Sequence, residues 1–150
     1  MRSRIVSLLD VVSRVPLTMH QLIFRLAVAG VFLRAGLLKI QGWESTLALF
    51  RDEYKVPVLP PEIAAVMSAS VEVGCSILLL AGLGTRLATL PILGMIMTIQ
   101  LFVYPQAWPE HLVWGSILLF LLTRGGGTVS LDHAIASAGA RNPIAQPARS

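Results

Sequence analysis

The chain has 150 residues, 55% of them apolar and only 13% charged, with a formal net charge of +4. Soluble domains carry about 25% charge, so a mean hydropathy of +0.72 points to a polytopic membrane protein rather than an aqueous globule. The 12 Lys and Arg residues are scattered or flank apolar runs, without the basic stripe that would mark nucleic acid as a partner.

Taken in chain order, residues 1–18 read as a cytoplasmic or interfacial segment. Ile5, Leu8, Leu9 and Val12 share one helical face, while Asp10 and Arg14 interrupt any signal-peptide core. This pattern predicts a short interfacial helix lying on the bilayer. A first crossing is predicted over Met19–Ile40 and contains Arg25, Arg34 and Lys39. A polar connection, 41–61, leads to a second crossing at Glu62–Leu83, with Pro60 and Pro61 at its start and Gly82 and Gly84 at its end.

The third crossing covers Leu87–Tyr104, with Pro91 early in it and Pro105 closing it. The fourth, Pro109–Thr123, would measure about 22 Å at the α-helical rise. That is short against roughly 30 Å of hydrocarbon, so a re-entrant helix is the alternative to a full span. Gly125–Gly127 then form a turn before a short helical segment capped by Ser130, with Asp132 near its start. Residues 136–150 are expected to form a flexible tail. The predicted fold is all-α: an up-and-down, four-helix membrane bundle over residues 19–135, preceded by the interfacial helix.

Small residues predict how the helices meet. Ala65, Ser68, Ala69, Glu72, Cys75 and Ser76 form a narrow face on the second crossing, and Gly30 and Gly36 offer similar close approaches on the first. Basic residues gather at the N-terminus, the Gly82–Arg86 turn and the C-terminal tail, whereas the 41–61 connection is acid-rich. The positive-inside rule therefore predicts both termini in the cytoplasm.

Glu72 lies near the middle of its crossing, where an isolated carboxylate is strongly disfavoured unless it is paired or protonated. Arg25 and Lys39 share a face of the first crossing, close to four turns apart, while Arg34 points almost opposite to Arg25. Estimated depth favours Arg25–Glu72 as the central pair, with Arg34–Glu72 as the competitor and Lys39 near the outer boundary. Such a pair fixes helix register or handles a proton, and sequence alone leaves both readings open. Gln100 and His111 are candidates for orienting a quinone head group, although aromatic neighbours Tyr104, Trp108 and Trp114 first suggest interfacial anchoring.

The widely separated His20, His111 and His133, with a lone Cys75, provide no recognisable metal set and no Cys-x-x-Cys redox pair. No nucleotide fingerprint or nucleophile elbow is present. These patterns predict no intrinsic cofactor.

Several segments together resemble the DoxX family of small bacterial four-helix membrane proteins, across roughly residues 20–135. They are RLAVAGVFLRAGLLKI from Arg25, Glu72 in the second crossing, LLLAGLGTRLATL from Leu78, VYPQAWPEHLVW from Val103 and GGGTVSLD from Gly125. Arg25, Lys39, Glu72 and the Arg86 turn look like the family's polar positions, and Arg34 looks like an added charge. The resemblance implies a bacterial inner-membrane subunit or accessory protein of a quinone-linked redox system, concerned with thiosulfate or thiols. Quinone would be a substrate, with Arg34, Lys39, Gln100 and His111 as candidate binding residues and Glu72 and Arg25 handling charge and protons. A redox-enzyme subunit or a second copy would be the partner, within the lipid bilayer. The alternative reading is a noncatalytic assembly protein or a small-molecule transporter.

Overall fold

A computed structural model describes residues 14–140, and every regular element among them is helical. Six α-helices follow in order: α1 Leu17–Gln41, α2 Trp43–Ala48, α3 Pro61–Ala81, α4 Thr85–Thr98, α5 Trp108–Arg124 and α6 Leu131–Ala140. α2 continues as a π-helical turn, Leu49–Tyr54, and α4 continues as another, Ile99–Val103. A 3₁₀ turn, Pro105–Ala107, leads into α5. The expected interfacial helix around Ile5–Val12 lies outside the described residues. Residues 136–140, expected as the start of a loose tail, instead complete α6.

Local chemistry explains the ends of the long helices. Pro61 opens α3, where its fixed φ suits a first turn and its missing N–H is not needed. At the other end Gly82 adopts φ 67°, and the backbone closes with Leu83 N donating to Leu78 O and Gly82 N donating to Leu79 O. This paired closure satisfies carbonyls that the helix leaves open, and glycine takes the left-handed conformation without a Cβ penalty. Pro91 stays inside α4, so the carbonyl of Leu87 has no i+4 donor there.

α1 packs on α3 and α5, while α4 packs on α3 and α5, so the four long helices form a ring. Its core joins Val28, Ala29 and Phe32 from α1, Cys75 and Leu79 from α3, Ala88, Ile92 and Ile96 from α4, and Leu118 from α5. The most extensive contact is between α1 and α3. Gly36 makes that approach possible: a Cβ there would stand 2.7 Å from Val73 Cγ2 and 2.9 Å from Glu72 Cβ. Ala65, Ala69, Glu72, Cys75 and Ser76 are all buried on α3. Gly30, by contrast, faces open space, because it lies on the exposed face of α1, away from the buried Val28 and Ala29.

The outside of the ring is oily. Leu87 is 73% exposed, Met97 and Leu101 are each 59% exposed, and Leu119 is 54% exposed. The helices Pro61–Ala81 and Thr85–Val103 are long and apolar enough to cross a membrane. Only 39% and 22% of their apolar windows are buried, the reverse of a soluble core helix. α5 has 17 residues and a length of about 25 Å, shorter than α1, α3 and the 19-residue span that α4 makes with its π-helical continuation.

The 41–61 connection contains more order than its polarity suggests. Trp43, Leu47, Phe50 and Tyr54 recur at helical spacing and turn inward, joining Ala64, Ala65 and Val56 in a second apolar cluster. Thr46 Oγ1 donates to Lys39 O at 3.0 Å, tying this hook to the end of α1.

Candidate functional site

Helix register decides which cation meets Glu72. Gly36 lies directly against Glu72 and Val73, so the next turn of α1 delivers Lys39 to the carboxylate. Lys39 Nζ donates to both carboxylate oxygens of Glu72 at 2.7 Å. Glu72 is 4% exposed, whereas the Lys39 side chain retains 21% exposure. The carboxylate is therefore enclosed, and the ammonium is the member of the pair that faces open space.

This arrangement corrects the expected Arg25–Glu72 pairing and its competitor, Arg34–Glu72. Placing Glu72 between the two arginines by depth assumed that α1 and α3 are centred at the same level. Instead the first turns of α1 extend past the end of α3, and Lys39 comes to mid-depth. Arg25 is only 2% exposed, but it serves the opposite end of the ring. Its Nε donates to Leu79 O at 2.8 Å and its Nη2 to Leu80 O at 2.9 Å. Its Nη1 donates to Gly126 O at 2.9 Å and Val129 O at 2.6 Å. Arg34 projects from the outer face of α1 and is exposed.

A second set of contacts completes that end. Gln21 Nε2 donates to Arg124 O at 2.9 Å and Gly125 O at 3.2 Å. The Asp132 carboxylate accepts from Gly84 N at 2.7 Å and Thr85 N at 3.1 Å, capping α4 from a distant helix. Ser130 Oγ caps its own helix by accepting from His133 N at 3.2 Å. Arg25 and Asp132 thus hold backbone ends together rather than a reaction centre.

Lys39 forms part of the wall of a cavity of about 500 Å³ between the hook, α3 and α4. The other walls include Phe50 and Tyr54 from the hook, Met67 and Ser68 from α3, and Met95 and Thr98 from α4. Both π-helical turns contribute, one through Phe50 and Tyr54 and the other through Ile99 and Val103. Inserting an extra residue into a helical turn rotates the following side chains, a common device at binding sites. The Phe50 and Tyr54 rings meet edge to face at 4.9 Å, and Tyr54 meets Tyr104 similarly at 5.7 Å. The hook ends in two left-handed, non-glycine residues, Lys55 at φ 42° and Val58 at φ 73°. For a β-branched residue such as Val58 this conformation is strained.

The rim carries its own charge network. Tyr104 donates its phenol to Glu53, and this carboxylate contact holds the Tyr104 pKa well above its ordinary range. Burial likewise pushes the Tyr54 phenol upward. Arg51 Nη2 meets Glu62 Oε1 at 2.5 Å, and this hydrogen bond raises the arginine above its ordinary range.

Gln100 and His111 come together, but they do so outside the cavity wall. Gln100 Oε1 accepts from His111 Nδ1 at 2.7 Å, and Gln100 Nε2 donates to Pro105 O at 2.8 Å. They latch the π-helical end of α4 to α5. Of the expected binding residues, Lys39 alone lines the cavity. Tyr54, Ser68, Met95 and Thr98 were missed; the Trp43–Leu47–Phe50–Tyr54 spacing was the available signal for Tyr54. No group of His, Cys, Asp and Glu suited to a metal occurs among the described residues.

The family model for DoxX matches residues 20–105. The chain belongs to the DoxX family. The match contains both members of the Lys39–Glu72 pair and all the cavity-lining residues, but it stops before His111 and the glycine turn. No curated protein and no solved structure matches the chain.

Proposed function

We propose that this DoxX protein is a multi-pass bacterial inner-membrane subunit of a quinone-linked redox system, and that its cavity takes the quinone ring. The observation that carries this reading is the Lys39 ammonium, backed by the buried Glu72 carboxylate, at the wall of an apolar cavity. Its size falls within the usual range of about 300–1,000 Å³ for small-molecule sites. The exposed apolar belt and the predicted basic-inside charge distribution support insertion of the four long helices as an up-and-down bundle.

The chemistry suits a ring with oxygen at both ends. Lys39 donates a hydrogen bond to one carbonyl oxygen, while Glu72 fixes the ammonium through its two carboxylate oxygens. Reduction to quinol adds two electrons and two protons. A partner subunit bearing a flavin or metal centre supplies the electrons. Lys39 supplies one proton and is recharged from water at the cavity mouth, and water supplies the second proton to the far oxygen. A thiosulfate- or thiol-oxidising partner would deliver such electrons.

The test uses purified full-length protein in lipid nanodiscs and a short-chain ubiquinone. Saturable quenching of tryptophan fluorescence is expected, with Trp43 reporting from within the hook. The double substitution Lys39→Met/Glu72→Gln should weaken binding at least about tenfold while removing both charges together, which avoids a lone buried ion. Quenching that never saturates, or equal affinity in the double variant, would overturn the proposal. Quinone-independent uptake of a solute into vesicles would instead favour the transporter.

A further inference from the structure

The outer face of α1 poses a problem that the cavity does not solve. Ile23, Ala27, Gly30, Arg34 and Leu38 recur at helical spacing, and all are exposed. Arg34 lies within about one turn of the level of Glu72, because Gly36 is the residue in contact with Glu72. Its guanidinium therefore emerges near mid-depth of the apolar belt. Among the described residues Arg34 has neither a hydrogen bond nor an ion pair, unlike Arg25, Lys39 and Arg51. A cation facing hydrocarbon at that depth is strongly disfavoured unless something pairs with it.

We propose that this face binds a membrane-spanning helix of a different protein, one that presents a carboxylate to Arg34. The surface suits close helix approach: Ala27 and Gly30 are small, and a Cβ added at Gly30 would meet nothing within 4 Å. Among the described residues, no carboxylate of a second copy is placed to complete the same contact. Two parallel copies related by a twofold axis through this face bring Arg34 against Arg34. The carboxylate available at this depth, Glu72, is buried and already held by Lys39. Glu44, Asp52, Glu53, Glu62 and Glu110 lie toward the hook end, and Asp132 caps α4 at the other. Charge complementarity thus selects a partner helix carrying its own Asp or Glu.

This inference rests on membrane insertion of α1 and is independent of quinone binding. A photo-crosslinking amino acid at Leu38 is activated in native membranes, and the adducts are digested and sequenced. The expected adduct joins Leu38 to an apolar helix of another protein with Asp or Glu within about one turn of the adduct. Its yield should fall at least about tenfold in Arg34→Leu and persist in Arg34→Lys at equal protein abundance, since an unpaired intramembrane cation or carboxylate is unfavourable. An adduct with a second copy, a partner peptide lacking a carboxylate, an adduct indifferent to Arg34→Leu, or lipid adducts alone would each overturn it. Leu38→Cys distinguishes failure of the premise: rapid reaction with a water-soluble maleimide would show that α1 is not in lipid.

Discussion

At the level of single residues, charge placement separates structural staples from reactive groups. Tyr104 makes this measurable at the rim. Its phenol donates to Glu53 and ionises above the ordinary value of 10.0. The folded protein consequently holds that proton longer than the unfolded chain. The contact's contribution to stability is present below the unfolded pKa and is lost as pH rises through the higher folded value. Ultraviolet titration of the two tyrosines should show late ionisation, and Glu53→Gln should bring one of them earlier. Identical titration curves would contradict the assigned contact. Glu72 was legible in the sequence because a carboxylate inside an apolar run demands explanation. Its partner was not, because sequence spacing gives the angle of each cation around α1 but not the axial offset between α1 and α3. That offset is built from distant contacts, with Arg25 holding the carbonyls of Leu79 and Leu80 at the end of α3 and Gly36 seated against Glu72 and Val73.

At the level of helices, steric clearance fixes the register that brings Lys39 to Glu72. Gly36→Ala should lower stability by about 1–3 kcal/mol, because its methyl overlaps atoms of Val73 and Glu72. Gly74→Ala is the matched control: nothing lies within 4 Å of its added Cβ, and alanine favours a helix by about 1 kcal/mol. Opposite shifts in thermal unfolding in detergent are expected, and a neutral Gly36→Ala would discredit the close approach. The boundaries of α3 were readable from Pro61 and Gly82 because both act locally through backbone conformation. The hook was harder to recognise because acidic residues interrupt the Trp43–Tyr54 apolar stripe. Its π-helical turn depends on packing against α3, which short-range propensity does not encode.

For the whole molecule, the oily exterior and the enclosed contacts of Arg25 and Glu72 describe a protein solvated by lipid outside, with its buried charges held by its own polar groups. Reporter fusions should place both termini and the Arg86 turn in the cytoplasm, with the hook on the opposite side. A C-terminal reporter active outside the cytoplasm would require α5 to re-enter rather than cross. The helical class and the apolar pattern were legible throughout, whereas the cavity was not, since its walls come from segments far apart in sequence. Arg25 also imposes an order on biogenesis. It enters with α1, yet two of the carbonyls that receive its guanidinium belong to Gly126 and Val129. A nascent chain halted before Val129 leaves ribosomal synthesis with its first helix in place and its latch unfinished. Closure must await synthesis of the Gly126–Val129 turn, and until then water or insertion machinery has to shelter the arginine.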